Sequence, residues 1–159
     1  MKWRDWLENW GMTGLKVQMP FLEMEWAPQD ADKSAAWELY IELLTRISTQ
    51  PLPDQDGDEQ SALDSIYSLF PTTRDVIKRN GRGCIEFTKI AVVILNQLVR
   101  PFTAKWHKLS LEYAFDDPHQ CHEFREELRE LQEYLKRYTQ MLGQMAAVES
   151  DLTSLESET

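Results

Sequence analysis

Residues 84–113 read CIEFTKIAVVILNQLVRPFTAKWHKLSLEY and form the longest predicted element of the chain. Apolar side chains recur in this stretch at spacings of three and four, as they do on one face of an α-helix. The predicted core seam of this helix comprises Ala91, Leu95, Leu98, Phe102, Trp106 and Leu109. Pro101 lies inside the pattern and is expected to kink the helix or to restart it.

A second long helix is predicted towards the C-terminus. Asp117 followed by Pro118 is a typical helix start, with an aspartate at the cap and a proline in the first turn. The helix is expected to run to about Val148, with an apolar side made of Phe124, Leu128, Leu131, Leu135, Tyr138, Met141, Leu142 and Met145. The acidic residues 151–159 have few apolar anchors, which predicts a disordered tail.

Shorter helices are predicted before the central one. A helix from residue 32 or 34 to about residue 49 would bury a stripe made of Ala36, Trp37, Tyr40, Ile41, Leu44 and Ile47. Residues 59–70 predict another helix, which is expected to end at Pro71, and residues 72–79 predict a short one. The connection at 50–59 is rich in turn residues and acid, which indicates a surface loop.

The N-terminal segment 1–30 is a tryptophan-rich arm. A short helix would align Trp3, Trp6 and Trp10 on one side, whereas the alternation over residues 15–26 predicts an extended segment or a short β-hairpin. Such an arm suits a protein partner or the chain's own bundle. The residues predicted to bind a partner are Trp3, Trp6, Trp10 and Trp26.

These elements predict an all-α fold, a bundle of four or five helices forming one domain over residues 1–150. The 159 residues suffice for one core. The longest apolar run, Ile90–Leu95, is too short to span a bilayer, and the N-terminus has no secretory signal pattern. Cys84 and Cys121 form no paired motif, so the expected location is the cytoplasm, with free thiols and no membrane contact.

Metal ions and cofactors are not expected. The acidic run Asp54–Asp58 resembles the start of a calcium loop but lacks the glutamate that completes one. His119, Cys121 and His122 lie close together in sequence, but no second cluster supplies the four ligands of a structural zinc site.

The charge is distributed unevenly along the chain. The net charge of -10 disfavours attraction of the whole surface to nucleic acid or anionic lipid. Residues 72–108 nevertheless carry eight Lys or Arg side chains against only Asp75 and Glu86. This basic segment predicts either a local RNA or phosphate surface, or pairing with the acidic helices of the same fold or of a second copy.

A polar line is predicted along the central helix. On an ideal helix its members fall within about 80 degrees of one another; they are Lys89, Asn96, Arg100, Thr103, His107 and Ser110. Within this line, His107 can transfer a proton to or from a ribose hydroxyl, while the Arg100 guanidinium stabilises phosphate charge. The structural alternative is that Arg100 pairs with a carboxylate and His107 bonds to a neighbouring helix, fixing their register.

The sequence Arg100-Pro-Phe-Thr-Ala-Lys-Trp-His107 resembles the Arg-x4-6-His motif of the HEPN superfamily. The resemblance implies an all-helical fold, metal-independent cleavage of RNA at a dimer interface, and a role in toxin-antitoxin or antiviral systems. It covers the motif alone and departs from the family at Pro101, where a polar residue usually follows the arginine.

Two functions of different class follow from the sequence. The first is a small cytoplasmic protein–protein interaction or regulatory module that self-associates or binds a protein partner through the tryptophan-rich arm or the basic segment. The alternative is a HEPN-like ribonuclease or toxin component with Arg100 and His107 as catalytic residues. The supporting phosphate contacts would then be Asn96, Lys105, Thr103 and Lys89.

Overall fold

The computed structural model describes residues 1–55 and 57–156, and these are predominantly helical, which confirms the all-α class. The helices are α1 (Trp3–Asn9), α2 (Met19–Leu22), α3 (Asp30–Leu44), α4 (Glu59–Tyr67), α5 (Leu69–Asn80), α6 (Ile85–Ile94), α7 (Arg100–Leu111) and α8 (Pro118–Met145). A π-helical turn, Leu95–Val99, joins α6 to α7, and 3-10 turns form at Gly81–Gly83, Ala114–Asp116 and Leu152–Ser154. None of the described helices is long and apolar enough to cross a membrane.

Helix α8 is the longest element, and its predicted apolar side is buried along its whole length. Helix α3 packs against α8, α5 and α6 and so lies at the centre of the bundle. A side chain at Gly143 would approach the Tyr40 ring to 3.0 Å, so this glycine permits the close contact of α8 with α3. The apolar periodicity of the last helix therefore predicted correctly which side of α8 is buried in the core.

The buried face of α3 matches the predicted one only in part. Ala36 and Tyr40 are buried as predicted, and Leu39 and Leu43 are buried beside them, whereas Trp37 is 46% exposed and Ile41 is 38% exposed. Apolar residues occur on several sides of α3, so its sequence alone does not specify which face packs inward.

The β-hairpin predicted at residues 15–26 is not present. Met19–Leu22 form one helical turn, with Pro20 in the first turn where its missing N–H is not needed. The only strand-like contact of the segment among the described residues is an isolated antiparallel bridge between Lys2 and Glu25. The alternation of apolar residues reflects a segment that lies along the bundle surface rather than a paired strand.

Pro71 was predicted to end a helix, but it lies in the first turn of α5. Because it has no N–H, it cannot donate to the carbonyl of Tyr67, the last residue of α4. The helical chain is interrupted at Ser68 and resumes at Leu69.

Pro101 follows a π-helical turn in the central helix, which otherwise keeps helical geometry from α6 into α7. The N–H of Arg100 donates to the carbonyl of Leu95, five residues back, which is the π-helical pattern. The chain then continues as α7 with Pro101 in its first turn, and it leaves helical geometry at Tyr113, which has a φ of 63°.

Residues 152–153, at the start of the predicted tail, contact α3 and α8, and residues 154–156 are exposed. The N–H of Leu152 donates to the Tyr40 hydroxyl at 2.8 Å, and the Gln140 amide donates to the Thr153 hydroxyl at 3.2 Å. The remaining tail residues, 157–159, and Asp56 of the acidic loop lie outside the described residues.

Candidate interaction surface on α4, α5 and α7

The Arg100 side chain is held in a defined orientation on the outside of the bundle. Its Nε donates to the Asn96 side-chain oxygen at 3.2 Å, and its guanidinium carbon lies 4.7 Å from the centre of the Phe70 ring. No carboxylate pairs with it in the described part of the chain. The two terminal nitrogens are therefore available to an oxyanion, because the contacts of Arg100 among the described residues use only Nε and the face of the group.

His107 lies two turns further along α7 and contacts a second aromatic ring. Its imidazole meets the Tyr67 ring edge-on at 5.1 Å, and Tyr67 lies 5.6 Å from Phe70. Arg100, Phe70, Tyr67 and His107 therefore form a continuous row, here called the Arg–His row. The structure thus places both predicted catalytic side chains on one surface, joined through two aromatic residues that the sequence analysis did not single out.

The joint between α4 and α5 sets the positions of the two aromatic residues. Arg46, which follows α3, donates to the hydroxyls of Ser68 and Thr72 and pairs with Glu42 at 2.7 Å. Ser68 lies between Tyr67 and Phe70, so Arg46 ties this joint to α3. The Arg–His row is consequently supported from the interior of the bundle by a half-buried charge network.

The π-helical turn separates Lys89 from the polar line. One π turn accommodates an additional residue, which rotates the preceding helix by about 100 degrees relative to the ideal wheel. Lys89 instead pairs with Glu86 at 3.0 Å and lies 5.3 Å from the Phe21 ring. It is not part of the Arg–His row.

Thr103 and Lys105 also lie away from the predicted phosphate contacts. Thr103 is buried, and its hydroxyl donates to the carbonyl of Arg100 at 3.2 Å. Lys105 points to α8, where it bonds to Glu127 at 2.5 Å and to Glu123 at 3.4 Å. The hydrogen bond to Glu127 raises the pKa of Lys105 above its ordinary value. Among the four supporting residues, Asn96 is the one that bonds to a side chain of the Arg–His row in the described part of the chain.

The tryptophan-rich arm packs on the chain's own bundle, one of the two alternatives that its pattern left open. Trp3 and Trp6 are fully buried. Trp3 donates to Glu86 at 2.7 Å, and Trp6 and Trp10 each donate to the Gln144 oxygen at 2.8 Å. Trp26 packs on Trp6 with ring centres 4.9 Å apart. Trp3 and Trp6 therefore offer no free surface to another protein, whereas Trp10 and Trp26 are partly buried.

The basic segment divides into paired and unpaired cations. Arg79 pairs with Glu38, Lys89 with Glu86, and Lys105 with α8. The cations without a carboxylate partner among residues 1–55 and 57–156 are Arg74, Lys78, Arg82, Arg100 and Lys108. Pairing within the fold therefore neutralises only part of the segment, and Arg100 and Lys108 remain together on α7.

Exposed apolar side chains extend the surface beyond the Arg–His row. Tyr67 is 48% exposed, Leu111 is 81% exposed and Tyr113 is 76% exposed. Leu111 follows Arg100 and His107 on the same side of α7, since it is eleven and four residues after them. Leu111 lies off the predicted core seam of the central helix, which is the sequence signal that its side chain leaves the core.

The histidine and cysteine cluster at the start of α8 does not converge. His122 lies beside Glu126 at 3.1 Å, whereas the Cys121 thiol points to the Phe115 carbonyl at 3.2 Å. In the described ranges, no three side chains of His, Cys, Asp or Glu come together as metal ligands would.

Comparison of the chain with family models, with curated proteins and with solved structures found no match.

Proposed function

We propose that this chain is a small helical protein–protein interaction module that binds its partner through the outer face of α7 and the adjoining Tyr67. The observation that carries the proposal is the combination of exposed Tyr67, Leu111 and Tyr113 with an oriented, unpaired Arg100. Tyrosine and arginine are the side chains that most often dominate protein interfaces, because they bury large areas and form several hydrogen bonds.

The expected setting is the cytoplasm, because both cysteines are free thiols. The net charge of -10 favours a protein partner over a polyanion, since the overall field repels phosphate backbones. The N-terminal arm has a structural role in this function, because it stabilises the bundle that carries α7.

A photo-crosslinking experiment tests this function. A benzophenone side chain introduced at Leu111 should give a covalent adduct with protein in the cells that produce the chain. The same group at Glu133, an exposed position of α8, is the matched control and should give no such adduct. Equal adducts from both positions, or none from Leu111, would contradict the proposal.

A metal-independent ribonuclease is the second candidate function. The observation that favours it is that Arg100 and His107 lie on one side of α7 next to the half-exposed Tyr67 ring, on which a base can stack. In this role His107 would be the general acid or base, Arg100 would bind the phosphate, and Asn96 would orient Arg100. The resemblance to the HEPN motif supports the same assignment.

The test is cleavage of total RNA in EDTA by the wild type and by the Arg100→Ala/His107→Ala variant. Cleavage by the wild type alone, with matching thermal melting of both proteins, is the result this candidate predicts. Intact RNA with both proteins would leave the interaction module as the only supported function.

A further inference from the structure

The hydroxyl of Tyr138 is a polar group in the interior of the bundle. Tyr138 lies on α8 and is 3% exposed, and its hydroxyl has no hydrogen-bond partner among the described residues. Burying a hydroxyl without a hydrogen bond is unfavourable, so most such groups in folded proteins bond to protein or to an ordered water. Burial also raises the pKa of Tyr138 above its ordinary value. The hydroxyl therefore keeps its proton and can both donate and accept a hydrogen bond.

Tyr138 lines a small cavity between α3, α5, α8 and the π-helical turn. The cavity has a volume of about 10 Å³, which is the size needed for a single water molecule and too small for a larger ligand. A second hydroxyl in the lining belongs to Thr73 of α5, which is also buried. The other side chains of the lining are aliphatic. The cavity is therefore apolar except at Tyr138 and Thr73.

The chemistry of this lining selects a neutral ligand. An ion would need charged partners to offset its loss of hydration, and none of the described lining residues is charged. A buried water forms hydrogen bonds to about two to four polar groups. The two hydroxyls supply the lower number, because each of them can act as donor or acceptor. Water is the ligand that meets the limits of both size and polarity.

We propose that this cavity binds one water molecule, which is hydrogen-bonded to the hydroxyls of Tyr138 and Thr73. The site goes beyond the proposed function and lies behind the surface that carries it. Thr73 belongs to α5, which also carries Phe70, and the cavity borders the π-helical turn that precedes Arg100. The water joins α8 to α5 next to the elements that position the Arg100 and Phe70 side chains.

The replacement Tyr138→Phe distinguishes a hydrated hydroxyl from an unpartnered one by the sign of its effect. If the hydroxyl bonds to a water, its removal breaks that bond and should lower the urea midpoint of unfolding by about 0.5 M. If the hydroxyl is unpartnered, its removal should leave the midpoint unchanged or raise it. Tyr134→Phe is the matched control, because Tyr134 lies on the same helix but is 41% exposed, and its midpoint should equal that of the wild type.

Magnetic relaxation dispersion of the solvent counts the long-lived internal waters of the same proteins. The wild type and Tyr134→Phe should give equal numbers, and Tyr138→Phe should give one fewer. In a Thr73→Val background, where the water has already lost one of its two partners, Tyr138→Phe should cause no further loss of water or of stability. Circular dichroism should show that all variants are folded.

Three results would each overturn the water site. The first is an equal number of long-lived waters in the wild type and in Tyr138→Phe. The second is a midpoint of Tyr138→Phe that is not lower than that of the wild type. The third is an undiminished effect of Tyr138→Phe in the Thr73→Val background.

Discussion

At the scale of single residues, a few polar side chains fix how the helices begin and how the surface is presented. Asn96 and Phe70 orient Arg100, and Arg46 holds the joint that carries Phe70. In the interior, the carboxylate of Asp32 accepts hydrogen bonds from the N–H groups of Gln29 and Phe87, at 2.8 and 2.9 Å. One buried carboxylate therefore caps the N-terminal ends of both α3 and α6.

Replacing Asp32 by alanine should lower the free energy of unfolding by about 2–3 kcal/mol, because two buried N–H groups lose a charged acceptor. Urea denaturation followed by circular dichroism measures the change. Asp30→Ala is the control, since Asp30 is exposed in the same helical turn and should cost less than about 1 kcal/mol. Equal losses for the two variants would show that the double cap does not stabilise the fold.

Asp58 at the start of α4 should make the stability of the fold sensitive to acid. The Ser61 hydroxyl and N–H bond to its carboxylate and hold the pKa of Asp58 below its ordinary value of 3.8. A carboxylate with a lowered folded-state pKa contributes stability above its unfolded pKa and loses it as the pH falls through the folded one. The contribution should stay below about 1 kcal/mol because the group is mostly exposed to solvent.

The variant Asp58→Asn can still cap the helix but cannot titrate. Urea denaturation of both proteins at pH 5, 4 and 3 should show the stability advantage of the wild type shrinking as the pH decreases. Parallel stability curves at all three pH values would contradict this role.

At the scale of elements, the sequence predicts those parts in which one periodicity dominates. The apolar side of α8 could be read directly, because its polar residues occupy the other side without interruption. The buried side of α3 could not, since apolar residues surround that helix. Pro101 indicated a break in the central helix, but the sequence did not predict that the break is a π-helical turn. This turn removes Lys89 from the predicted site.

The candidate site was predicted only in part, because helical spacing relates residues of one helix and not residues of different helices. Arg100, Asn96 and His107 share one helix, so their common side follows from helical spacing. Tyr67 and Phe70 come from α4 and α5, and their contacts with α7 depend on tertiary packing that spacing along one chain segment does not contain. The sequence left two uses of the arm open, because an amphipathic tryptophan stripe has the same pattern whether it covers its own core or another protein.

Helix α1 is expected to behave as a structural part of the bundle. Trp6→Ala should lower the free energy of unfolding by about 3–5 kcal/mol, because a fully buried ring and its bond to Gln144 are lost. Trp37→Ala, at a tryptophan that is 46% exposed, should cost less than about 1 kcal/mol. Circular dichroism during urea denaturation measures the stability of both variants. A small loss of stability in both would contradict a structural role for α1.

At the scale of the whole molecule, charge and exposure point to the same region. The chain is strongly acidic, but the cations that its own carboxylates leave unpaired include Arg100 and Lys108 on α7, beside the exposed Leu111. The tryptophans that seemed available for binding are instead used to hold the N-terminal segment on the bundle. The molecule therefore presents one helix face that is basic and partly apolar.

Hydroxyl-radical footprinting of the purified chain and of the chain inside the cells that produce it tests this claim most directly, because it measures side-chain exposure at individual residues. Oxidation of Tyr67, Leu111 and Tyr113 should be lower in the cells, because the proposed partner covers the α7 face. Trp37 and Leu155, which are 46% and 78% exposed at other positions, are the reference residues and should show no such decrease. Unchanged oxidation of Leu111 and Tyr113, or protection that appears at Trp37 instead, would contradict the account.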